Sequence, residues 1–182
     1  MKNSVEITRG YQFRYMLTRH FVAVACIMLF EWVLFIFFGS PIARYVLSGA
    51  CTIAYFAIMY SAAAKLAKFD AKSYTPLQPD IKWGIYWGLA LSGMIGVLAL
   101  LFIFSDNMGA VGGAIKLIFY LVTAPCFGFM LDEPGKIKLY AVIIILAVPF
   151  AACVLGYIAG SSGFTLAEKL DDLTFEKEDE DE

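Results

Sequence analysis

One carboxylate in this sequence stands where a carboxylate is costly. Glu31 lies in the apolar run 21–38, about 12 Å below the outer end of that run if it is helical. At mid-depth in a bilayer an acidic residue costs about 2.5–3.5 kcal/mol even on the lenient insertion scale, so it must face a protein interior, hold a proton or meet a base. Two bases are candidates: Lys116, near the start of a later apolar run, and Arg44, nearer the surface. Glu31 with Lys116, or with Arg44 in its place, is thus a candidate intramembrane polar site. Such a site would bind a proton, a cation or a basic substrate group in a cavity open to the outside. The competing role is a structural hydrogen bond between helices, with Lys116 extending its ammonium to the interface.

Little else in the chain points to chemistry. His20 is the single histidine, and Cys26, Cys51, Cys126 and Cys153 fall in four different apolar runs without CxxC spacing. Buried thiols acting as small hydrophobes are the expectation. Neither a histidine metal centre nor a Ser-His-Asp arrangement has the residues it needs. No catalytic residue, metal or cofactor is expected. Gly109, Gly112 and Gly113 lie close together, but no GxxxxGK[ST] or GxGxxG pattern accompanies them, so they read as a turn.

The elements that would position Glu31 are membrane helices. Of 182 residues, 60% are apolar and only 16% charged, with a mean hydropathy of +0.73; soluble domains carry about a quarter charged residues. The expected fold is an all-α integral membrane bundle of about five transmembrane helices with an acidic C-terminal tail. The spans fall at about 21–38, 43–64, 83–104, 114–131 and 139–160, after a basic lead-in at 1–20 and before a tail at 161–182. The first run follows a long charged segment and no convincing small-x-small cleavage site succeeds it, so it reads as a retained span and not a signal peptide.

Small residues recur every fourth position in two spans: Gly84, Gly88, Ser92 and Gly96, then Ala152, Gly156 and Gly160. Positions four apart share a helix face, and in lipid such faces let backbones approach closely. Both rows read as helix-packing surfaces. Pro125 and Pro149 lie inside the fourth and fifth spans and should kink them, because proline removes a backbone bond and collides with the preceding turn. Kinks open space between helices.

The net charge of −2 hides a division: 164–182 holds nine acids and two lysines. Thr165 to Glu168 has a capping-box pattern, and Leu166, Leu170 and Leu173 recur at helical spacing, so one short amphipathic helix is expected there. Basic residues gather in the lead-in, in Lys65 to Lys82 and in Lys136 to Lys138. With five spans these share one side, which places the N-terminus in the cytoplasm and the tail outside. Short loops suggest a bacterial plasma membrane.

Function is less legible than architecture. The first expectation is a non-catalytic accessory or assembly subunit of a membrane complex, held to a membrane protein partner or to further copies of itself by its small-residue faces. The alternative is a small transport protein or transporter subunit with Glu31 in a polar cavity. An intramembrane enzyme comes third, for want of a convergent set of acids, bases and nucleophiles. The lipid bilayer is the expected environment, and no nucleic-acid partner is expected.

Overall fold

The computed structural model describes residues 8–37, 40–72, 77–129 and 138–163. It is an all-α membrane bundle, with no strand among the described residues. Four helices are long and apolar enough to cross a bilayer, and a fifth is shorter. The elements are α1 (Arg9–Phe37), α2 (Pro41–Asp70), α3 (Ile81–Phe104), α4 (Gly109–Val122), a 3-10 segment Ala124–Phe129, and α5 (Leu139–Ser161).

Local chemistry sets several helix ends. Ser40 caps α2 by accepting a hydrogen bond from the Ala43 N–H at 3.2 Å, with Pro41 in the first turn where its missing N–H costs nothing. Asp80 caps α3 through the Lys82 N–H at 2.9 Å. The first two helices extend further than the apolar runs. α1 starts at Arg9 instead of 21, because Gln12, Met16 and His20 recur every four residues and are buried in the bundle. α2 likewise continues past 64 to Asp70, where the charged end is itself buried. These helices are about 44 and 45 Å long, well over the hydrocarbon thickness of about 30 Å.

Side-chain and backbone contacts fix the direction of each helix. α1 and α2 are antiparallel: Gln12 meets Asp70, His20 meets Tyr55, and Glu31 meets Ser48. α3 and α5 are antiparallel as well, with Gly84 against Tyr157, Gly88 against Phe150, and Ser92 donating to the Leu146 carbonyl at 2.8 Å. Between α2 and α5 the pairs advance together. Gly156 lies on the Tyr60 carbonyl and Gly160 on the Ala64 carbonyl, so these two helices run in the same direction.

A parallel α2 and α5 correct the fourth span. The segment expected to cross at 114–131 is a half-depth hairpin. α4 enters from the Ser40 end of the bundle, and the 3-10 segment returns to that end, where the Phe129 ring lies 6.1 Å from Tyr45 and the Phe129 carbonyl accepts from Tyr140. At 14 residues, α4 is about 21 Å long, too short to cross alone. Pro125 follows at once and cannot continue the helix.

With four crossings, Ser161 and Arg9 lie at the same end of the bundle. Five spans would have put these two residues at opposite ends. The tail at 164–182, with its expected amphipathic helix, and Lys136 lie outside the described residues.

Candidate polar core

The buried face of α1 carries Gln12, Met16, His20, Val24, Ile27 and Glu31. These positions are spaced by three or four and fall in one line. Three of the six are polar, and each meets a polar group on α2. The seam between the two helices therefore holds three polar stations, about 12 and 16 Å apart by helical rise.

The station nearest the Ser40 end is built on Glu31, 1% exposed. Ser48 donates to Glu31 Oε1 at 3.3 Å, and the Cys51 thiol bonds the same carboxyl. The Ser48 hydroxyl also accepts the Gly128 N–H at 2.8 Å, so one serine joins the carboxyl to the returning arm of the hairpin. Thr52, one turn further along α2, donates to the Pro125 carbonyl at 2.7 Å. A 3-10 strip inside a bilayer needs its backbone groups satisfied by protein, and α2 supplies those partners.

The expected partners of Glu31 are elsewhere. Lys116 is paired with Asp106, ten residues earlier and 66% exposed, and its ammonium lies 5.7 Å from the Phe102 ring centre. Its flexible stem carries the charge outward to the end of the bundle. Arg44 sets its backbone carbonyl against Gly128, and its buried Nε has no hydrogen-bond partner among the described residues. The structure therefore replaces the Glu31–Lys116 pair with a Glu31–Ser48–Cys51 group.

The middle station is His20, 1% exposed. Its Nδ1 lies 2.7 Å from the Tyr55 hydroxyl, while Nε2 has no hydrogen-bond partner among the described residues. A cavity of about 20 Å³ adjoins it, lined among others by His20, Tyr55, Thr123, Pro125, Cys126 and Pro149. Its size suits about one water. The two prolines expected to open space both line this cavity, although Pro125 belongs to the hairpin turn and α5 stays α-helical through Pro149.

The third station closes the opposite end. Asp70, 2% exposed, accepts hydrogen bonds from Gln12 at 2.6 Å, from Tyr157 at 2.8 Å and from Arg9, with which it forms an ion pair. Arg9 also donates to the Gln78 carbonyl at 2.8 Å and lies 4.6 Å above the Trp83 ring. The Tyr157 hydroxyl accepts the Asp80 N–H at 3.3 Å. One carboxylate thus fastens the start of α1, the end of α2, the approach to α3 and the end of α5.

Among the described residues, no group of three or more His, Cys, Asp or Glu side chains is arranged to hold a metal ion. No known protein family, curated protein or solved structure matches this chain. Its function must be argued from its own residues.

The small-residue rows lie where helices touch. A Cβ on Gly84 would come within 2.7 Å of Tyr157, and one on Gly88 within 3.0 Å of Phe150. Gly96 meets Leu146 at 3.6 Å, and Ala152 is fully buried. Sequence reasoning missed His20 and Asp70 as centres of polar stations. The signal for His20 was its spacing from Gln12 and Glu31; for Asp70 there was none, because it reads as a loop charge.

Proposed function

We propose that this protein is a small membrane transport protein, or transporter subunit, that carries a proton or small cation along the α1–α2 seam. The observation that carries this reading is the hairpin. The break between α4 and its 3-10 returning arm, at 123–125, sits at mid-depth beside His20 and Tyr55, and Ser48 and Thr52 hold the arm. Broken backbone at that depth is tolerated where it is enclosed by protein or lines a polar cavity, the setting used by channels and transporters. Files of buried Asp, Glu and His in membrane helices mark proton and ion routes. Glu31, His20 and Asp70 are such a file. Met16 and Met59, both 0% exposed, pack between the middle station and the one at Asp70, where side chains would have to move to join them.

The charge distribution supports a cytoplasmic Arg9 end. Arg9, Arg14, Arg19, Lys65, Lys68, Lys72 and Lys82 lie toward it, against Arg44, Lys116 and Lys138 toward the other. By the positive-inside rule the Ser161 end of α5 is then cytoplasmic too, and a bacterial plasma membrane remains the proposed location.

The test is flux through purified protein in sealed vesicles, read with a pH-sensitive dye under an imposed potential and repeated with sodium and potassium gradients. Flux above protein-free vesicles, reduced at least tenfold by Glu31→Gln and by His20→Phe in protein that remains monodisperse, is the expected result. No flux of any of the three ions would sink the transport reading. A stoichiometric partner recovered with such inactive protein would instead favour the accessory subunit.

A further inference from the structure

An open groove of about 410 Å³ lies on the outer surface of the α1–α2 pair toward the Arg9 end. Tyr15 and Arg19 form one wall, and Ile58, Ser61 and Lys65 the other. It is separate from the buried seam.

Its depth and its charge point to the same occupant. Gly160 packs on Ala64 and α5 ends at Ser161, so Lys65 stands at the level where the bundle leaves the hydrocarbon. Arg19 faces the turn just below. Neither cation has a carboxylate partner among the described residues, and the Arg19 guanidinium lies 5.1 Å from the Tyr15 ring centre. Two cations and a serine hydroxyl therefore converge at headgroup depth. Toward mid-membrane from the groove, the exposed surface turns apolar: Phe21 and Val22 on α1, Ile58 and Ile53 on α2. A charged mouth above an apolar track matches an amphiphile with an anionic head. Basic pockets between transmembrane helices recognise anionic lipid headgroups in this way.

We propose that this groove binds the phosphodiester of an anionic phospholipid, with Arg19 and Lys65 on the phosphate oxygens, Ser61 donating a hydrogen bond, and one acyl chain along Ile58. Free phosphate would satisfy the cations but leave the apolar track uncovered, and the lipid is therefore the occupant.

The full chain would be placed in nanodiscs of phosphatidylcholine with a small fraction of phosphatidylglycerol, and co-purifying lipid quantified after gentle extraction. Phosphatidylglycerol should be enriched over its bulk fraction. Replacing Arg19 and Lys65 together by Gln should cut the enrichment by about fivefold per cation removed. Lys72→Gln with Lys82→Gln removes equal charge at the same end of the bundle and should leave the enrichment intact. Ser61→Phe, which fills the groove and keeps both charges, should abolish it. Inorganic phosphate added at millimolar level should not displace the lipid. Equal loss in the two charge-matched double variants, an unaffected Ser61→Phe protein, or displacement by inorganic phosphate would overturn the proposal.

Discussion

Replacing Asp70 by Asn isolates the contribution of the fastening at the Arg9 end. Asp70 is 2% exposed and accepts from three side chains on two other helices. The amide keeps one acceptor oxygen and turns an NH₂ group toward donors, leaving the Arg9 guanidinium, 19% exposed, without its counter-charge. Removing one partner of a buried pair costs about 3–5 kcal/mol. Arg9 keeps the Gln78 carbonyl and the Trp83 face, so the lower end applies: about 3 kcal/mol, or two orders of magnitude in the folding equilibrium. Tyr157→Phe removes one hydrogen bond to a carboxylate that keeps two others, together with the long 3.3 Å bond from the Asp80 N–H, and should cost about 2 kcal/mol. The assay is reversible unfolding in mixed micelles with increasing dodecyl sulfate, followed by helical circular dichroism and by tryptophan emission. Trp83 lies beneath Arg9, and Trp87 sits 5.4 Å from Tyr157, so emission reports on this cluster. A double-mutant cycle with Arg9→Gln should give a coupling of about 1–3 kcal/mol. A coupling below about 0.5 kcal/mol, or Asp70→Asn no worse than Tyr157→Phe, would refute the reasoning.

Three further outcomes follow from the same geometry. Gly160→Val drives a side chain into the Ala64 backbone and should cost at least about 3 kcal/mol, whereas Gly93→Val meets nothing within 4 Å and should stay within about 0.5 kcal/mol in the same unfolding assay. Ser48→Ala frees both Glu31 Oε1 and the Gly128 N–H; hydrogen exchange at 124–129 should accelerate at least tenfold while the amides of α3 are unchanged. Single cysteines at Lys72 and Gly163 should react with an impermeant maleimide from the same face of sealed vesicles, and one at Asn107 from the other. Labelling of Lys72→Cys and Gly163→Cys from opposite faces would restore a five-span topology.

The four crossing helices were legible because each carries a long apolar run that only a bilayer or a large core can accommodate. The hairpin was not. The segment 109–129 is as apolar as a span, and what turns it back is non-local: hydroxyls of Ser48 and Thr52, more than seventy residues earlier, offered to its backbone. Pro125 was visible, but a proline marks a kink as readily as a reversal. Glu31 stands out in the sequence as a carboxylate within an apolar run and is buried in the bundle, yet depth by residue count could not choose its partner. Lys116 rotates outward to Asp106 on its own side of the bundle. Asp70 was hidden by helix length, since hydropathy ends α2 at 64 and leaves the acid in a connection.

The reversed segment also bears on how the protein is made. Residues 109–129 leave the ribosome after α1, α2 and α3 but before α5, and most of what they pack on is made by then: Phe102 of α3 lies against Phe119 and Tyr120, and Ser48 and Thr52 of α2 hold the returning arm, while α5 adds Ala141 and Ile145 to the cluster around Phe119 and Cys126. Until α5 arrives, the hairpin rests on α2 and α3, and its flank toward Ala141 and Ile145 is open to lipid or to the insertion machinery. The final helix therefore acts as the closing plank of the bundle. A nascent chain arrested before 139 would hold three inserted helices and a hairpin bare on the one flank that Ala141 and Ile145 later close, the stage at which an insertase or quality-control protease has something to grip.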